Sequence, residues 1–190
     1  MILDFNKSKD DAWRDIKHEI HRGALDKKHP FRFIVLSTGD SGEIQSRWVV
    51  LRKVDDNLHC YIYTDKRTQK IDALKNNDKA HVLMYHDKKK IQIRCQGKVC
   101  IHHQNELSRN HWNNVQGIAK RAYTPGVAPG TLIGSPEQAH EWNMDLEDQY
   151  FSVLEFIPEE MDVLQLNKSE HLRMKATKTE GGWIKEWVAP

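Results

Sequence analysis

The sequence predicts a mainly β fold of the α+β class, an antiparallel barrel or sandwich with added helices. Three observations support this reading. About seven or eight short β-type runs follow one another in hairpin order, separated by Gly, Asp and Asn turn signals. An amphipathic helix precedes them, and no run has the alternating strand–helix rhythm of a parallel sheet.

The helix is Asp10–Leu25, where Trp13, Ile16, Ile20 and Ala24 recur at helical spacing and leave one stripe to bury. Pro30 stops its continuation. Phe31–Thr38 and Glu43–Val54 form a hairpin across Gly39-Asp40-Ser41-Gly42, and Leu58–Thr64 extends it to a three-strand meander. Arg67–Asn76 is a short helix with Ile71 and Leu74 on one side. Ala80–Tyr85 and Ile91–Ile101 are strands joined by the polar tip 87–90. His103–Ala119 is read as a helix bearing Leu107, Trp112, Val115 and Ala119, and Ser135–Asp148 as a further one. Tyr123–Gly130 between them is too rich in Pro and Gly to be regular. The tail reads as four short segments, Tyr150–Ile157, Met161–Leu166, Glu170–Thr177 and Trp183–Val188. No linker or repeat divides the chain, so one domain spans 1–190, with the strands of 150–190 completing the barrel.

Composition narrows the function. Lys+Arg at 29 against Asp+Glu at 27 gives a net charge of +2, too little field for a nucleic-acid or membrane partner. The first ten residues lack a signal-peptide pattern, and no run approaches the roughly 20 apolar residues of a membrane span. Cys60, Cys95 and Cys100 form no C-x-x-C pair and fit reduced thiols, so a cytoplasmic location is expected. Rossmann, P-loop and nucleophile-elbow motifs are missing. The eleven histidines show no spacing that a zinc site requires, so no metal is expected.

The informative stretch is Arg47 to Lys70. In a regular strand Arg47, Val49 and Leu51 share one face and Trp48, Val50 and Arg52 the other, so the two arginines grip different atoms unless a bulge intervenes. Tyr63-Thr64 ends a strand, and Thr68-Gln69-Lys70 opens the next helix. Helix-start N–H groups, a hydroxyl and an ammonium together suit a phosphate. Taken singly, Arg47, Arg52 and Lys70 would read as solvated surface charges. Their order along the chain changes that.

RWVVLR, IYTDKRTQK and IQIRCQG, in this order, resemble the pyridoxamine 5′-phosphate oxidase family, with its R-x-V-x-L-[KR] strand, F-Y-T strand end before a [ST]-x-K helix start, and R-Q-V-R-x-x-G strand. His171-Leu172-Arg173 is similar to the family's H-x-R, and Trp183 to Pro190 to its W-x-x-x-x-L-x-P ending. The resemblance covers 31–103 and, more loosely, 150–190. It implies an antiparallel split β-barrel with flanking helices and a homodimer holding FMN between its subunits.

By that resemblance Arg47 and Lys70 bind the FMN phosphate, helped by Thr68 and Gln69, while Tyr63 and Thr64 line the phosphate and ribityl chain. Val49 and Val50 pass along the flavin ring, Gln92 reaches its polar edge, and Arg173 approaches from the tail. Arg52, beside this cofactor set, faces the substrate, and His171 either touches substrate or packs beside the barrel. Trp183 is read as core.

The chain departs from the oxidase pattern in its substrate shell. Ser169 stands where the oxidase has an arginine, Leu164 where it has a tryptophan, and Val127-Ala128 where a Gln-Ser pair is expected. The Tyr, Arg and Ser that hold the substrate phosphate have no clear counterpart among His111–Asn114 and Lys120-Arg121. The expected activity is an FMN-dependent oxidoreductase related to pyridoxamine 5′-phosphate oxidase, whose small-molecule substrate the sequence does not specify. The other readings are a non-catalytic flavin carrier or sensor, and a split barrel for haem or a deazaflavin. No side chain stands out as acid or base, which suits hydride transfer.

Overall fold

A computed structural model describes residues 1–40, 42–142, 147–167 and 170–190. Ser41 of the first hairpin turn, the stretch 143–146 inside the expected helix Ser135–Asp148, and Ser169 lie outside them.

The chain begins with α1, Lys9–Leu25. Ser8 caps it by accepting from the Asp11 N–H at 3.1 Å, and Asp10 and Asp11 lie where the helix dipole favours negative charge. Ala12, Trp13, Ile16, Ile20 and Ala24 are its buried stripe. Gly23 is required by packing, because a Cβ there would meet the Phe31 Cβ at 2.6 Å.

Eight strands follow: β1 (Phe33–Asp40), β2 (Glu43–Val54), β3 (Cys60–Asp65), β4 (Lys79–His86), β5 (Ile91–His103), β6 (Phe151–Gln165), β7 (Leu172–Thr179) and β8 (Gly182–Val188). The helix α2 (Gln69–Asn76) lies between β3 and β4, and α3 (Glu106–Asn113) follows β5. All pairings are antiparallel, in the order β3-β2-β1-β4-β5-β6-β7-β8, and β3 also pairs with β6. That last pairing closes six strands into a barrel and leaves β7 and β8 as a flap. The mainly β, split-barrel expectation agrees with this architecture.

Two residues explain how one strand serves both barrel and flap. The first half of β6 pairs with β3, from Phe151 to Phe156, and the second half with β7, from Glu160 to Gln165. Between them Gly97 faces Pro158 while Gln96 faces Glu160, so Glu159 is an unmatched bulge residue. A Cβ on Gly97 would lie 2.0 Å from the Ile157 carbonyl oxygen, so only glycine lets the strands meet there. Tyr150–Ile157 and Met161–Leu166 are therefore one strand; Pro158 bends it at the bulge without ending it.

Other boundaries also shift. Where His103–Ala119 was expected to be one helix, β5 runs on to His103, because His102 and His103 pair with Val153 and Ser152. Asn105 then opens α3 with a capping box to Ser108. A 3₁₀ turn, Gly117–Tyr123, replaces the end of that expected helix, and a shorter one, Pro136–His140, stands in the Ser135–Asp148 region.

The main core fills the barrel and the face under α1, and includes Phe31, Ile34, Leu36, Leu51, Ile62, Ile93, Phe156 and Val163. Trp183 is half-buried against it, 5.2 Å from the Trp13 ring, as its core reading requires. A second cluster, Tyr61, Trp112, Val115, Tyr123, Phe151 and Val153, packs α3 and the 117–123 turn on the outside of β3 and β6. Cys60 and Cys95 are buried and free, and burial pushes the Cys60 thiol up to about 12. Among the described residues no helix is long and apolar enough to cross a membrane.

Candidate functional site: a cationic cleft where β2 leaves β3

Along one edge β2 pairs with β1 throughout, from Glu43 to Val50. Along the other it meets β3 only through Leu51, Lys53 and Val54. Residues 47–50 therefore present one backbone edge that no neighbouring strand takes up. A cleft of about 240 Å³ opens at this divergence, lined by Arg47, Trp48, Val49, Val50, Arg52, Ile62, Tyr63, Thr64, Lys70 and Tyr123.

The cleft's cations arrive from separate elements. Arg47 donates to the Leu36 carbonyl at 3.2 Å and to Thr38 Oγ1 at 2.8 Å, which fixes the guanidinium at the rim. Lys70, in the first turn of α2, donates to Thr64 Oγ1 at 3.1 Å. Burial, then the neighbouring Arg47 charge, push the Lys70 pKa down, and Asp65 only partly opposes them. Burial also lowers that of Arg47. Among the described residues neither cation, nor Arg52, forms an ion pair. Two half-buried positive charges side by side with no carboxylate partner make a site that gains from an anion. At the start of α2, Thr68 makes no side-chain cap, so its hydroxyl does not compete for the first N–H groups.

Arg52 is where strand parity fails. The register between β2 and β3 skips it, so it is the bulge residue, and the bulge turns it into the cleft that Arg47 lines. Both arginines line one cavity, the case the sequence reading reserved for an intervening bulge. Arg52 Nη2 donates to the Tyr123 hydroxyl at 2.9 Å, and its guanidinium lies 5.5 Å over the Tyr63 ring. Its Nε is buried with no hydrogen-bond partner among the described residues, a donor waiting for an acceptor.

Behind Tyr63 lies an ionisable pair. The Tyr63 hydroxyl and His111 Nδ1 are 2.9 Å apart. Burial, then Lys53 and His102, lower the His111 pKa, while burial raises that of Tyr63 against the pull of Arg52. Both are therefore neutral near pH 7, joined by one hydrogen bond.

Of the residues marked from the sequence, Arg47, Val49, Val50, Arg52, Tyr63, Thr64 and Lys70 meet in this cleft. Thr68 does not turn its hydroxyl there, because it is buried and donates to the Asp65 carbonyl at 2.9 Å. Gln69 is exposed and lines an adjoining hollow with Thr38, Gln45 and Asp72. Gln92 and Arg173 stand on another surface, aligned across Leu164 of β6. Arg173 is bound to Asp162 at 2.8 and 2.6 Å, and this bond with the Arg94 contact holds the Asp162 carboxyl below its usual range. His171 is exposed between β6 and β7 and accepts from the Asn167 N–H at 3.2 Å. One chain thus does not bring Gln92, His171 or Arg173 to Arg47 and Lys70. Sequence reading missed Tyr123, which lines the cleft, and His111, which stands behind Tyr63; they join it through contacts 71 and 48 residues apart.

A closed antiparallel barrel with an anion-receptive cleft at its open seam defines a small-ligand-binding barrel protein, and the FMN-binding split barrels are built this way. Residues 10–103 match the family model described as pyridoxamine 5′-phosphate oxidase, FMN-binding domain, and the chain belongs to that family of FMN-binding split barrels. Among solved structures it is similar to a pyridoxamine 5′-phosphate oxidase-related, FMN binding protein from Nostoc punctiforme PCC 73102, at 21% identity and a TM-score of 0.77, covering 94% of this chain and 97% of that one. It is also similar to PhzG from Burkholderia lata 383, in complex with tetrahydrophenazine-1-carboxylic acid, at 16% identity and a TM-score of 0.75, covering 99% and 98%. General stress protein 26 from Bacillus anthracis str. Sterne overlaps less closely, at 22% identity and a TM-score of 0.52, covering 83% and 98%. At these identities the likeness is one of fold. No curated protein matches the chain.

Proposed function

We propose that this chain binds FMN by its phosphate at Arg47 and Lys70 and works, as a homodimer, as an FMN-dependent oxidoreductase on a small molecule. The observation that supports this most directly is the pairing of those two half-buried cations without a counter-ion among the described residues, in a member of an FMN-binding family. Thr64 and the N–H groups at the start of α2 supply further donors. Charge-assisted hydrogen bonds contribute about 1.5–3 kcal/mol each. Four give about 6–12 kcal/mol before an association cost of at least about 4, and micromolar affinity needs about 8. Phosphate contacts alone are marginal, so the ring must be held too.

The cleft's volume argues for a second copy. At about 240 Å³ it lies below the roughly 300–1,000 Å³ of pockets that bury a whole ligand. Trp48, 69% exposed, with half-buried Val49 and Val50, would flank a ring that protrudes from it. Gln92 and Arg173, remote within one chain, would reach that ring from a partner.

FMN when bound supplies hydride acceptance at its ring. The chain's own residues orient and exclude water, while Arg52 offers its unpartnered Nε to an acceptor group of the substrate. Tyr63, backed by His111, can hold a proton at the cleft.

The test is anaerobic. Protein loaded with FMN is mixed with reduced nicotinamide or with pyridoxamine 5′-phosphate, and flavin absorbance is followed. Bleaching by the nicotinamide, with colour restored by oxygen, is the expected result. Bound FMN that no donor bleaches would replace the enzyme reading with a carrier or sensor.

A further inference from the structure

Two groups of side chains bring carboxylates and imidazoles to metal-ligand spacing: Glu19, His29 and His86, all buried, and Asp55, His59 and Glu155, partly exposed. Their hydrogen bonds separate them. In the first group His29 Nδ1 accepts from the Phe31 N–H at 3.1 Å, and His86 Nδ1 from the Lys89 N–H at 3.3 Å. A neutral ring whose Nδ1 accepts carries its proton on Nε2. Both Nε2 atoms face Glu19 Oε1, at 2.7 and 3.5 Å, so no lone pair points inward for a metal. Lys89 already supplies the cation there.

The second group is arranged the other way. Asp55 Oδ1 accepts from the N–H groups of Asn57 and His59, at 3.0 and 2.9 Å, which leaves Oδ2 to turn inward. Glu155 Oε2 is held by His102 Nε2 at 2.8 Å, which leaves Oε1. The His102 tautomer is itself set. Asn105 Oδ1 accepts from the Ser108 N–H, so its amide nitrogen faces His102 Nδ1 at 3.1 Å, and the proton stays on Nε2. Such outer hydrogen bonds orient metal ligands in known sites.

The two inward oxygens converge on His59 Nδ1, Glu155 Oε1 at 3.0 Å and Asp55 Oδ2 at 3.2 Å. His59 Nε2 has no protein partner among the described residues, so the ring's proton can sit there and free the Nδ1 lone pair. Tetrahedral bonds of about 2.0–2.1 Å set ligand atoms about 3.3 Å apart, so both His59–carboxylate separations are within tenths of an ångström of that spacing, and the two oxygens lie within 4.8 Å of each other. The Tyr61 hydroxyl, 3.2 and 3.1 Å from the same oxygens, stands at the fourth corner, where a water could also bind. Lys53 is the nearby cation, over the Tyr61 ring at 5.6 Å from its centroid, and it pairs with neither carboxylate.

We propose that Asp55, His59 and Glu155 form a site for a divalent transition metal of the Zn²⁺ or Co²⁺ type, tying the β2–β3 turn to β6. One imidazole with two carboxylates and no thiolate suits these ions better than Mg²⁺, Ca²⁺ or Cu⁺. The site is independent of the flavin reading. It also revises the expectation of no metal, since His59 is four residues from Asp55 but 96 from Glu155, a separation no sequence motif spans.

The test is calorimetric titration of the full chain, stripped with a chelator, with ZnCl₂ and CoCl₂, alongside Co²⁺ visible absorption. One equivalent bound at micromolar affinity, with an imidazole signature at Nδ1 of His59 in ¹⁵N spectra of the unaltered protein, is expected. His59→Ala and Glu155→Gln should weaken binding by about 100-fold or more, and His102→Ala, a positioning residue, by about 10–100-fold. His29→Gln should leave it unchanged. No stoichiometric uptake by the unaltered chain would overturn the site, as would uptake insensitive to both Glu155→Gln and His59→Ala.

Discussion

The cleft at Arg47 and Lys70 and the buried cluster around Glu19 are made of similar charged side chains and end in opposite states. Around Glu19, burial alone would raise the carboxyl pKa, but hydrogen bonds from Lys89 and His29 outweigh it and hold the group ionised. His29 also bonds the Phe31 N–H and His86 the Lys89 N–H, so the network is closed. At the cleft, two cations lose solvent and gain no anion from the described residues. A hollow of about 800 Å³ lies beside Glu19, larger than the cleft, yet Asp15, Glu19, Arg22, Lys89 and Lys90 on its wall are already paired. The contrast teaches that size alone does not locate the site; unmet charge does.

The largest effect should come from opening the closed network. Glu19→Gln leaves Lys89 and two imidazoles without their anion and should cost about 2–3 kcal/mol, since Lys89 is partly exposed and sits below the full cost of a buried pair. For a chain of this size that is a melting temperature lower by about 4–12 °C, read by calorimetry.

Acid should erase that difference. The folded Glu19 pKa is below its usual 4.5, so its contribution is present above 4.5 and is lost as pH falls through the folded value. The gap between unaltered protein and Glu19→Gln, wide at neutral pH, should close over that interval. The His86 pKa is also depressed, by burial first, so the fold favours the neutral ring and stability begins to fall as pH drops below 6.5. Melting curves against pH for both proteins check both limbs.

Removing a cation from the cleft should do the reverse. With its charge disfavoured in the fold, Lys70→Met should raise the melting temperature of ligand-free protein by about 1–3 °C, and FMN should no longer raise it further. A fall on substitution, with FMN stabilisation intact, would break the comparison. Smallest is Tyr123→Phe, which frees Arg52 Nη2 of one hydrogen bond and should alter affinity for an anionic substrate by about 1 kcal/mol, near fivefold, with little change in melting.

Much of the barrel was legible because hairpins are local. Gly39 to Gly42, the 87–90 tip and Gly181-Gly182 each mark a turn between neighbours in sequence, and nine of the ten cleft-lining residues lie within 47–70. What escaped depended on distance or on a bulge. Tyr150–Ile157 and Met161–Leu166 read as two segments because nothing local reveals that Gly97 makes room for the bulge that joins them. Alternation alone does not place Arg52, because a single skipped partner reverses the parity beyond it. Tyr123 at the cleft and His111 behind it stand on irregular or newly capped segments whose position is fixed by packing against Phe151 and Tyr63.

The most direct measurement is an FMN titration followed by flavin fluorescence, on the unaltered chain and on Arg47→Ala combined with Lys70→Ala. Saturable quenching at micromolar FMN is predicted for the first. For the second, loss of at least about 3 kcal/mol, more than about 100-fold in affinity, is predicted with an unchanged circular dichroism spectrum. Equal affinity in the two folded proteins would contradict the assignment of that cleft to the phosphate.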